Sequence, residues 1–62
     1  MEREEMIDFI NQNAGQATLD RINDYENKDM GYDWAISYID ANMANGTSMA
    51  VSLSWLEIEL TD

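Results

Sequence analysis

The sequence predicts a small all-α domain of three to four helices, with residues 1–62 forming a single unit. Three observations carry this expectation. Apolar residues recur at intervals of three and four, the period of a helix with one buried face. The interruptions fall at Gly15, at residues 27–31 and at Asn45-Gly46, whose types stop helices. Residues 48–60 also carry an apolar stripe at 4-3-4 spacing, and proline is absent throughout.

Residues 2–13 read as the first helix. Met6, Ile7, Ile10 and Ala14 share a face with Phe9 at its edge, and Glu2, Glu4 and Glu5 crowd the first turn, where the helix dipole favours anions. Gly15 is placed to end it in a left-handed conformation. Thr18 is read as the N-cap of a shorter second helix, with Asp20 in the first turn and Leu19 and Ile22 on the inner face. Tyr25 or Glu26 follows at helical spacing, the Asp24–Lys28 pair adds slight support, and residues 27–31 close the helix. Asp33 is read as the N-cap of a third helix over 34–44, with Ala35, Tyr38, Ile39, Asn42 and Met43 on one face. Asn45-Gly46 supplies the stop, and Thr47 or Ser48 caps the final segment.

Residues 48–60 fit two readings. As a helix, Met49, Leu53, Leu56 and Leu60 form one stripe and Val51, Trp55 and Ile58 a second on the other side. A helix apolar on two faces is buried or shared between subunits. As a strand, Met49, Val51, Leu53 and Trp55 alternate with small residues, and Leu56, Ile58 and Leu60 resume after a bulge. The alternative fold is therefore α+β, two N-terminal helices on a C-terminal β-hairpin turning at Asn45-Gly46. Glu57, Glu59 and Asp62 at a helix C-terminus oppose the dipole, yet the helical reading is preferred because Ala41 to Ala44 do not alternate. The expected core is Met6, Ile7, Ile10, Leu19, Ile22, Trp34, Ile39, Leu53, Leu56 and Leu60.

Charge is the second strong signal. Thirteen acidic and three basic residues give a net charge of −10, past the magnitude of about 2 to 8 that keeps a small domain soluble. Such an excess repels itself and works against compactness, so it points to a basic partner. Nucleic acid is excluded as a direct ligand, because phosphate binding needs Lys and Arg in quantity. The 45% apolar content and six aromatic residues argue against acidic disorder. From Trp34 to Leu56 the single charged residue is Asp40. That block, together with a chain short enough to bury only about 60% of its unfolded surface, predicts self-association as a homodimer.

The absence of His and Cys removes imidazole bases, thiolate nucleophiles, disulfides and Cys/His metal sites. No Ser lies in a Gly-x-Ser-x-Gly turn, so no enzymatic activity is expected. Residues 24–33 are rich in oxygen ligands but do not match the calcium-loop pattern, and Lys28 sits at their centre. No metal and no cofactor are expected. The acidic start lacks a leader's basic and apolar regions, and no apolar run spans a bilayer. The cytoplasm is the expected location, with no membrane partner.

The candidate partner-binding residues are the crowded acids and nearby aromatics: Glu2, Glu4, Glu5, Asp8, Asp20, Asp24, Glu26, Asp29, Asp33, Tyr25 and Tyr32. Acids three and four apart on a helix stand about 5–6 Å apart, a row suited to the Lys and Arg of a surface that ordinarily holds phosphates. Trp34 joins the two tyrosines as a candidate anchor. In size and composition the chain resembles the small acidic proteins with which phages and mobile elements block DNA-binding or defence enzymes. That resemblance implies a non-enzymatic, DNA-mimic-like inhibitor of a basic nucleic-acid-binding protein, of the anti-CRISPR or anti-restriction kind. The rival expectation is a small assembly subunit that binds through its uncharged 34–56 surface.

Overall fold

The described chain runs through four helices joined by short connections: α1 (Arg3–Asn13), α2 (Gln16–Asn23), α3 (Lys28–Ala44) and α4 (Met49–Thr61). The computed structural model describes residues 2–61, and none of them lies in a strand. The α+β alternative is thereby corrected: residues 49–61 are helical. Ser48 caps this helix, its Oγ accepting from the Val51 N–H at 3.2 Å, and the buried Ser52 hydroxyl donates to the Ser48 carbonyl at 2.8 Å. A strand would leave that hydroxyl without its partner in the preceding turn.

The longest helix, α3, lies at the centre and packs on α4, α2 and α1, while α2 also touches α4. Met6, Ile10, Ile22, Ala35, Ile39, Leu53 and Leu56 form the buried core. The Cα radius of gyration is 10.6 Å, the value of about 10.6 Å that compact chains of this length reach. Ile7, Leu19, Trp34 and Leu60, expected inside, are half-buried, the last three packed against this core. Gly31, Thr18 and Ser52, not expected inside, are buried.

Three helix boundaries differ from the sequence reading, each for a local reason. Gly15 does not end α1 in a left-handed turn. Ala14 and Gly15 are both extended (φ −77° and −71°), and α2 begins at once with Gly15 as N-cap. Thr18, expected at that cap, lies one turn inside and is fully buried. α3 begins at Lys28 and not after Asp33, because the Asn27 side chain caps it by accepting from the Met30 N–H at 2.9 Å. Gly31, expected in a helix-ending segment, therefore lies within α3. A Cβ added there would run into the Ile22 backbone, 2.9 Å from its carbonyl carbon and closer still to the oxygen. Gly46 behaves as expected: its φ of +94° turns the chain from α3 toward α4.

One cap is borrowed from another helix. Gly15 has no side chain with which to close the start of α2. Glu57 of α4 supplies the acceptor, taking the Gly15 N–H at 2.7 Å and the Thr18 hydroxyl at 3.4 Å. A carboxylate at a helix N-terminus is favourable both as acceptor and as charge. An acid that counted against α4 as a helix thus stabilises the start of α2.

Candidate partner-binding surface

Twelve of the thirteen acids lie among the described residues, and all of these except Glu57 are exposed. Their positions follow from the helices. Glu4 and Glu5 occupy the first turn of α1, and Asp8 follows one turn on. Asp20 lies on α2 and accepts from the Gln16 amide at 2.9 Å. Asp24 is the C-cap residue of α2, Glu26 lies in the connection to α3, and Asp29 stands in the first turn of α3.

Ion pairing touches two of them. Arg3 at the start of α1 reaches Asp33 at 2.9 Å and Asp29 at 3.8 Å. Its guanidinium also donates to the Asp29 carbonyl at 3.4 Å. These exposed pairs contribute about 0–1 kcal/mol each, but they join the acidic ends of α1 and α3. Among the described residues, no other exposed acid has a cation within 4.0 Å. Those residues hold no group of three or more acids placed to share a metal ion. None of the described helices is long and apolar enough to cross a membrane.

The aromatic candidates separate. Tyr32 is half-buried and donates its hydroxyl to Asn11 on α1. Tyr25 is 36% exposed and stacks on the half-buried Trp34 with centroids 5.9 Å apart and planes at 28°. Trp34 in turn meets Tyr38 at 6.2 Å and 42°, so the three rings form a continuous strip where α3 leaves α2. Partial burial and the Glu59 carboxylate raise the Tyr38 phenol above its ordinary 10.0, against a smaller lowering by Asn42. A raised phenol favours the neutral form in the fold. Stability from this group is complete below pH 10 and is lost as pH rises through the folded value. Alkaline unfolding followed by circular dichroism checks this: Tyr38→Phe is expected to flatten the decline above about pH 10, the ordinary tyrosine value.

Two surface features escaped the candidate residues. Val51, Trp55 and Ile58 on the outer side of α4 are 43%, 45% and 56% exposed. Their spacing was legible as a second stripe, but nothing in the sequence showed that it would lack cover within the chain. The other feature is an open groove of about 580 Å³ between α1 and the start of α4, lined by Glu5, Asp8, Phe9, Gln12, Met49 and Ala50. Its two walls lie more than 35 positions apart in the sequence, and only the fold brings them together. No known protein family, curated protein or solved structure matches the chain.

Proposed function

We propose that this protein is a non-enzymatic inhibitor that occupies the basic, nucleic-acid-binding surface of a partner protein. The observation that carries the reading is that eleven of the twelve described acids are exposed and two of them meet a cation, both times Arg3. A folded scaffold that leaves its carboxylates unpaired presents fixed negative charge to Lys and Arg rows, in place of phosphates. Such charge steers association and sets its salt dependence. The class this suggests is the DNA-mimic-like inhibitor, as in anti-CRISPR or anti-restriction proteins acting inside the cell.

The test is capture of nucleic-acid-binding proteins on the immobilised chain, at low and high salt and with duplex DNA as competitor. Capture is expected to weaken as salt shortens the Debye length from about 10 Å at 0.1 M to about 3 Å at 1 M, and DNA is expected to displace the partner. Changing Glu4 and Glu5 to Gln together with Asp20 and Asp24 to Asn removes four carboxylates. At up to about 1 kcal/mol per exposed pair, the captured partner is expected to bind about tenfold or more weakly. Unchanged affinity in that variant would overturn the reading.

The exposed stripe on α4 favours a second reading, an assembly role in which Val51, Trp55 and Ile58 meet a second copy of the chain. The face carries apolar and aromatic residues, as interface cores do. Sedimentation equilibrium is then expected to give twice the 7.1 kDa chain mass, returning to one chain in Trp55→Ala. A constant single-chain mass at rising concentration removes the dimer.

A further inference from the structure

From the groove between α1 and α4 we infer a binding site for one arginine side chain of the basic partner; this rests on the reading of the acidic surface as the site of inhibition. The two carboxylates alone would be an ordinary solvated helix face. What distinguishes them is the floor beside them. Phe9 and Met49, both half-buried against the core, and Ala50 form an apolar bed in a groove of about 580 Å³. Glu5 and Asp8 stand at its rim, one helical turn apart on α1, with Gln12 one turn further. Neither carboxylate has a cation within 4.0 Å among the described residues.

This combination fits arginine better than other occupants. A phosphate or any anion is repelled by the rim. A purely apolar side chain would desolvate two carboxylates without pairing them, which is costly. Arginine carries both halves: an apolar stem that packs on hydrophobic surface, and a planar guanidinium that pairs with carboxylates and lies well against an aromatic ring. Lysine matches the charge but not the planar stacking. Glu5 and Asp8 are the acceptors in this assignment, Phe9 and Met49 the bed, and Gln12 offers an amide oxygen to a remaining N–H.

The test is titration of the ¹⁵N-labelled full chain with N-acetyl-arginine-N-methylamide, using the citrulline analogue as its uncharged isostere. Saturating amide shifts are expected at Phe9, Met49 and Ala50 with arginine and none with citrulline. Ala50→Arg places a guanidinium at the groove from within the chain. It is expected to weaken the probe by about tenfold, while Ser37→Arg, which adds the same charge on exposed α3 surface, changes it by less than about twofold. Equal shifts from citrulline, shifts spread evenly over all acidic segments, or an unaltered affinity in Ala50→Arg would each overturn the site. Groove shifts that grow with protein concentration in the absence of probe would also overturn it, by showing a second copy as the occupant. The two ideas fail separately. Unaltered probe binding in Ala50→Arg removes the groove and leaves the acidic-surface reading standing. Unchanged partner capture by the four-carboxylate variant removes that reading whatever the probe does.

Discussion

Gly31→Ala is expected to destabilise the protein by about 3 kcal/mol, although alanine is ordinarily the better helix residue. In an exposed helix interior the exchange would stabilise by about 0.8–1.0 kcal/mol. Here the added methyl meets the Ile22 carbonyl group, whose carbon lies at 2.9 Å, and the Ile22 side chain, whose Cγ2 also lies at 2.9 Å. The obstacle is backbone near the end of α2, which cannot swing aside as a flexible side chain would. Overpacking of this kind costs about 1–3 kcal/mol and occasionally more, and backbone contact places this case at the upper end. At about 0.05–0.15 kcal/mol per residue, or about 3–9 kcal/mol for the whole chain, that is a third or more of the total stability. Urea titration followed by helix ellipticity checks it; a midpoint at or above that of the parent protein would show that α2 and α3 are further apart than described.

The second large effect lies on α4, where two adjacent residues should behave in opposite ways. Leu56 is fully buried, whereas Trp55 is 45% exposed. Leu56→Ala is expected to cost about 2–5 kcal/mol, the transfer free energy of the lost methyl groups plus the cavity left behind. Trp55→Ala removes the larger side chain but creates no internal cavity, and is expected to cost under about 1 kcal/mol in a dilute single chain. Chemical denaturation of the two variants at low concentration separates them. Reversed magnitudes would mean that α4 presents its other stripe to the core.

The sequence made the helices legible and left their crossings hidden. Stripes such as Met6–Ile10 and Leu53–Leu56 identify themselves because a repeated apolar spacing belongs to one segment. The start of α3 did not, because Lys28, Asp29 and Gly31 have the look of a connection, and their helicity depends on α2 lying close enough to need a glycine. Thr18 failed as a cap for a similar reason. Its hydroxyl has a better-placed use beneath Glu57, a residue 39 positions away. For the candidate surface, the acids could be named one by one, but not their neighbours. That Arg3 would hold Asp29 and Asp33 while Glu5 and Asp8 stayed unpaired beside Phe9 depends on how α1 lies against α3 and α4.

The carboxylate that Glu57 lends to Gly15 has a consequence for the order in which the chain acquires structure. α2 has eight residues, below the length of about 12–15 at which an isolated helix becomes even marginal in water. Its own backbone closes the first turn, but the N–H of its N-cap residue is taken by a residue 42 positions downstream. α2 alone is thus too short to persist as a helix, and its N-cap N–H gains this acceptor only when α4 has docked. Any opening of α4 leaves the Gly15 N–H without that acceptor, so the start of α2 is coupled to a helix far from it in the chain.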